Sequence, residues 1–105
     1  MPVPTQALPA VLDHVDAHLD ASRENLFSLL RIPSISAQQD HAGDCARAAA
    51  WWKDQLAGLG FQAEVMPTAG HPVVVGRFDG PTDYKGPHIL FYGHYDVQPV
   101  DPVDL

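Results

Sequence analysis

The stretch His88-Ile-Leu-Phe-Tyr-Gly-His-Tyr-Asp96 constrains this chain more than any other. His88–Tyr92 reads as a strand, apolar enough to be buried, and a run of this length bounded by a glycine fits a sheet core. A buried strand needs neighbours in a sheet and a covering layer. This one also runs through Gly93 straight into a histidine and a carboxylate two residues apart.

The preceding chain offers both the neighbours and the cover. Residues 1–8 carry two prolines and little pattern and read as a flexible arm. From about Pro9, the residues Leu12, Val15, Leu19, Leu26, Leu29 and Leu30 fall near one face of a helical period. Pro9 is tolerated in a first turn, where its missing N–H costs nothing. That helix is expected to end near Arg31, because Ile32 precedes Pro33 and is pushed toward extended geometry. Residues 33–40 form a polar loop. Asp40 is placed to cap a second helix over His41–Leu59, with an apolar stripe of Cys45, Ala48, Ala49, Trp52, Leu56 and Leu59. Gly60 stands where a helix C-terminal glycine belongs. Phe61–Val65 alternates weakly, as a half-exposed strand does. Pro72–Phe78 contains three valines and reads as a more buried strand. Asp79-Gly80-Pro81 is a turn. Two helices followed by three strands predict an α/β fold, with both helices packed on the first strands of a mixed sheet.

Composition narrows the function classes. The 105 residues are enough for one small domain with a modest core. A net charge of -7, from 13 acidic and 6 basic residues, leaves no footprint for nucleic acid or an anionic membrane. No apolar run approaches the ~20 residues of a membrane span, and the N-terminus lacks the pattern of a signal peptide. Cys45 is the single cysteine and has no intramolecular disulfide partner, so nothing points to an oxidising compartment. It reads as a small buried thiol. A cytoplasmic protein is expected.

Most of the histidines read as structural. His14 and His18 share the i, i+4 spacing that can hold a metal, but they lack the glutamate of an H-E-x-x-H protease. They lie away from the Leu12/Val15/Leu19 stripe and read as solvated. His41 fits the first turn of the second helix, His71 precedes a strand, and His88 begins one. Neither a phosphate loop nor a dinucleotide fingerprint is present.

His94 and Asp96 are different. In an extended chain, residues i and i+2 point to the same side, with Tyr95 opposite. A metal-bound histidine usually donates its other ring N–H to an acceptor such as a carboxylate, which fixes the ring and strengthens it as a ligand. Gly93 lets the backbone approach closely or turn, and ligands in α/β folds bind beyond the carboxyl ends of strands. A surface ion pair and a turn built by Asp96 remain competing readings of the triplet alone.

The longer string FYGHYDVQPVDPVDL resembles the first metal-ligand motif of the M20 family of zinc peptidases, in its dipeptidase-like branch. That branch carries G-H-Y-D-V-Q-P after a hydrophobic strand. LLRIPSIS at 29–36 resembles the end of the family's first helix. ARAAAWWKDQLAGLGF at 46–61 resembles its second helix and the turn into its first strand, and HPVVVGRFDG at 71–80 its second strand. The order and spacing match from about residue 10 onward.

The resemblance implies a zinc-exopeptidase-like catalytic domain over residues 9–105, incomplete at its C-terminal side. His94 would be the ligand of one zinc in a two-zinc site, and Asp96 the catalytic-site carboxylate that orients it. Tyr95 and Gln98 lie in the motif without an implied role; Asp101 and Asp104 match no ligand and read as solvated. In the family, two metals share a bridging carboxylate and a water, and a glutamate acts as general base. The residues matching the bridging aspartate, the Glu-Glu pair, a further carboxylate ligand and the final histidine are not in this sequence. The chain is therefore expected to be the N-terminal fragment of a longer dipeptidase or exopeptidase. Its substrate would be a small peptide or an N-acyl amino acid, and its full-length form a homodimer through an inserted second domain. The isolated fragment is expected to be inactive and poorly stable, with an open sheet edge and uncovered apolar faces. A non-catalytic α/β remnant or interaction module, and an amino-acid deacylase of the same family, are the alternatives.

Overall fold

The computed structural model describes residues 7–101 and 104. Described residues up to Arg31 form one compact unit, and those from Ile32 onward form another.

The first unit is helical, as the apolar period predicts. Helix α1 spans Ala7–Ala17 and α2 spans Leu19–Leu30, so a single residue, His18, interrupts what the sequence reads as one helix. His18 sits at φ -112°, ψ 13°, outside helical geometry. Its Nδ1 lies 2.8 Å from the His14 carbonyl oxygen, a local side-chain bond that competes with the helical ladder. The two rings stack at 4.0 Å. The helix stops where Pro33 requires, with Arg31 at the C-terminal cap. Of the arm expected over residues 1–8, residues 7 and 8 belong to α1, and 1–6 lie outside the described residues. No residue of α1 or α2 is buried.

The second unit holds the core. A single 3-10 turn, Gln39–His41, leads into helix α3, Ala42–Gly58. Asp40 does not cap that helix. The turn consumes it, and His41 takes the cap position without a side-chain cap bond. Asp44, in the first turn of α3, instead faces His41 Nδ1 at 2.8 Å and accepts from Arg47 at 2.6 Å. A carboxylate there also suits the positive end of the helix dipole. Cys45, Ala48 and Ala49 are fully buried along one side of α3. These small side chains let the helix lie close to what it packs on.

Helix α3 ends as Gly60 predicts. Gly60 has φ 95°. Its N–H donates to the Ala57 carbonyl at 3.0 Å, and the Phe61 N–H donates to the Leu56 carbonyl at 3.0 Å. This is the paired bonding of a Schellman motif, which satisfies carbonyls the helix leaves open.

The chain then forms β1, Gln62–Met66, and β2, Val73–Arg77, paired antiparallel with Gln62 opposite Arg77 and Met66 opposite Val73. Helix α3 packs on both strands. At Gly76 a Cβ would stand 2.9 Å from Leu56 Cδ1, so only glycine admits this closeness without moving Leu56. The fold is thus a small α/β arrangement of three helices and a two-stranded antiparallel sheet.

Three expectations about the sheet need correction. Its two described strands pair antiparallel rather than as a mixed sheet, and α3 packs on both. The valine strand is not the more buried one, since helix cover reaches one face only and Val73 and Val75 point away from it, exposed. Third, His88–Tyr92 pairs with no strand among the described residues. Ile89, Leu90, Phe91 and Tyr92 are 80%, 95%, 91% and 84% exposed. Apolar, β-prone residues do not make a strand without a ladder partner, because strand stability comes from cross-strand contacts.

Two measurements test this packing. Gly60→Ala should lower stability by about 1 kcal/mol, the cost of a Cβ in left-handed geometry, read as a shift in the urea midpoint. A hydrophobic dye should bind the native chain, and Leu90→Lys with Phe91→Lys should remove most of that signal; undiminished dye binding would place the exposed apolar surface elsewhere.

Candidate functional site

The site forms where three loop segments of the second unit meet. The first is the polar loop after Pro33, the second the approach to β2, and the third the residues following Gly93. Their meeting depends on backbone pairing across a long separation in sequence. Ile35 and Val97 form an isolated parallel bridge, and the Val97 N–H donates to the Ser34 carbonyl at 2.9 Å. Ser34 is buried, and its hydroxyl donates to the Tyr95 carbonyl at 3.0 Å. A buried hydroxyl without a partner would cost about 1–3 kcal/mol, so this bond keeps the junction closed. On the other side, the Tyr95 hydroxyl donates to the Pro72 carbonyl at 2.6 Å. The segment is clamped from both directions.

That clamp presents His94 and Asp96. His94 Nδ1 lies 2.8 Å from Asp96 Oδ1, the meeting that i, i+2 spacing anticipates. The other carboxylate oxygen, Oδ2, accepts from Ser36 Oγ at 2.5 Å. Ser36 is tied in turn to His71, whose Nε2 lies 2.8 Å from the Ser36 carbonyl oxygen. Ser36, His71, Pro72, Tyr95 and Asp96 line an open recess of about 310 Å³.

The electrostatics follow from these contacts. The Ser36 hydroxyl, and then the His94 ring, hold the Asp96 carboxyl below its usual range against the opposing effect of burial. An ionised carboxylate only accepts, so the His94 nitrogen facing it carries the proton. In the Nδ1–H tautomer the lone pair lies on Nε2. The His94 side chain is 73% exposed, which leaves that nitrogen accessible. Burial, then the charges of Asp96 and Asp44, push the Cys45 thiol up. Burial, then Cys45 and Asp96, push the Tyr95 phenol up. Cys45 is a poor thiolate nucleophile here, and Tyr95 acts through its hydrogen bond to Pro72.

No contact joins the other sequence-predicted residues of the second unit to this cluster in the hydrogen bonds described above. His14 and His18 lie on the separate helical unit, His41 pairs with Asp44, and His88, Gln98, Asp101 and Asp104 are exposed. Gly93 shows neither reason proposed for it: its φ is not positive, and a Cβ there would meet nothing within 4 Å. Ser34, Ser36 and His71 are the contributors that pattern reading passed over. The one available signal was two serines flanking an isoleucine in a loop otherwise read only as polar.

These donors fall short of the implied zinc site. No group of three or more His, Cys, Asp or Glu side chains able to hold one metal occurs among the described residues. His94 and Asp96 amount to one imidazole and its orienting carboxylate, short of the three or four ligands a protein zinc site uses. These residues alone do not make a zinc site.

The Asp96 network carries a pH signature. A carboxyl whose pKa is lowered by folding adds stability that is complete above its unfolded value, about pH 4, and is lost as pH falls through the depressed value. Asp96→Asn should flatten that part of the stability curve; an acid limb identical to that of the parent chain would show that the network does not drive it. The chain matches no protein-family model, no curated protein and no solved structure.

Proposed function

We propose that this chain supplies one histidine ligand, His94, and its orienting carboxylate, Asp96, to a zinc-dependent dipeptidase or exopeptidase that hydrolyses peptide bonds. The remaining ligands and the general base would come from residues outside these 105. The observation that carries the reading is the 2.8 Å approach of Asp96 Oδ1 to His94 Nδ1, beside an accessible Nε2. That is the arrangement by which proteins prepare an imidazole for a metal. The resemblance of FYGHYDVQPVDPVDL to the M20 motif supports it independently. In such enzymes the metal polarises the scissile carbonyl and lowers the pKa of bound water. This chain's own contribution is to hold the ring in one tautomer and orientation. The substrate class is a small peptide or an N-acyl amino acid, since a deacylase would use the same pair, and the setting is cytoplasmic, with a homodimeric full-length enzyme. The 105-residue chain alone is inactive.

A second reading has an observation of its own. Ile89–Tyr92 is an apolar run open to solvent, as expected of a non-catalytic module that binds a partner. The intact mass of the cellular polypeptide that begins with this sequence separates the two. A mass several-fold above 11.4 kDa agrees with the hydrolase, and a mass near 11.4 kDa with the module. In the longer polypeptide, His94→Ala should abolish zinc-dependent dipeptide hydrolysis. Asp96→Ala should lower activity or metal affinity by about 10–100-fold. Undiminished hydrolysis by the His94→Ala protein would sink the reading.

A further inference from the structure

Asp96 has two oxygens and two partners. One bond to His94 would leave the carboxylate able to rotate and exchange oxygens, and the ring able to turn with it. The bond from Ser36 Oγ to Oδ2 removes that freedom. A short O–H···O⁻ bond is among the stronger hydrogen bonds in proteins.

Ser36 is itself held from elsewhere. His71 Nε2 lies 2.8 Å from its carbonyl oxygen, and since a carbonyl only accepts, His71 carries a proton there. The Ile35–Val97 bridge and the two Ser34 bonds fix the neighbouring backbone against residues 95–97. The donor hydroxyl and the accepting carboxylate therefore belong to backbones already locked together.

We propose that Ser36 is the positioning residue for His94: its hydroxyl orients Asp96, which in turn keeps His94 in the Nδ1–H tautomer with Nε2 free. The order of contacts matters. A serine nucleophile activated by histidine would meet the imidazole, whereas Ser36 meets the carboxylate. Its proton serves Asp96, and its role is to orient. The use of this relay in hydrolysis rests on the proposed metal role of His94. The relay itself does not.

The test reads the tautomer directly. The full chain, with isotope-labelled histidine and free of metal, is examined near neutral pH through the imidazole nitrogen shifts of His94. The Nδ1–H form should predominate in the parent protein. Ser36→Ala should shift the ring to a mixture of both tautomers, and Ser36→Thr, which keeps the hydroxyl, should restore the parent pattern. Ser36→Cys keeps the volume but donates weakly, and should behave like alanine. An unchanged His41 signal and an unchanged amide spectrum report an intact fold of the second unit. A parent-like His94 tautomer in folded Ser36→Ala or Ser36→Cys protein overturns the proposal. So does a threonine variant that matches alanine. In the longer polypeptide, Ser36→Ala should also weaken zinc binding about tenfold. Loss of the hydrolase reading would leave the tautomer result standing, and an unchanged tautomer would leave the hydrolase reading intact.

Discussion

The short parallel pairing of Ile35 with Val97 joins loops more than sixty residues apart, and the arrangement around His94 depends on it. Closing so long a loop has an entropic cost that rises only slowly with length, so a few well-made bonds can hold it. Here the bonds are concentrated. Ser34 uses both its carbonyl and its hydroxyl on residues 95–97, and Ser36 adds the carboxylate of Asp96. Because Ser34 is buried, opening the junction without admitting water would strand its polar groups. The junction is a hydrogen-bonded clasp.

The apolar packing lies next to it, on α3. Cys45, Ala48 and Ala49 make a smooth buried face, and Gly76 lets β2 approach Leu56 closely. Small residues here bring backbones together but bury little area each, so they add modest hydrophobic stabilisation. The large apolar side chains of 89–92 remain outside: among the described residues that run pairs with neither β1 nor β2. Cys45 also links core and site. Burial, then the charges of Asp96 and Asp44, push its thiol up.

What could be read from the residues was what local chemistry decides. Gly60 marked the end of α3 because left-handed backbone there nearly demands glycine. Pro33 marked the end of α2 by constraining its predecessor, and alternation placed β1. His94 and Asp96 met because i, i+2 geometry is a property of a short extended segment. Asp40 misled because capping and 3-10 geometry compete over the same residues, and Asp44 one turn later serves the helix instead. His88–Tyr92 misled because local propensity says nothing about whether a pairing strand is at hand. The roles of Ser34, Ser36 and His71 were invisible because each is defined by a residue far away in the chain.

The same contacts decide what kind of carboxylate Asp96 is. A general base works best with a pKa near the operating pH, usually raised by burial or like charge. Asp96 is driven the other way, by a hydroxyl and then an imidazole that both favour its ionised form. Each oxygen is already engaged, one by Ser36 and one by His94. It is therefore a weak proton acceptor near neutrality, and ligating a metal would mean giving up one of these bonds. Its chemistry is directed at His94, where a fixed negative charge behind Nδ1–H makes Nε2 a better donor to whatever it meets. A proton released by a neighbouring water would have to go to a different residue, because both oxygens of Asp96 are committed to Ser36 and His94.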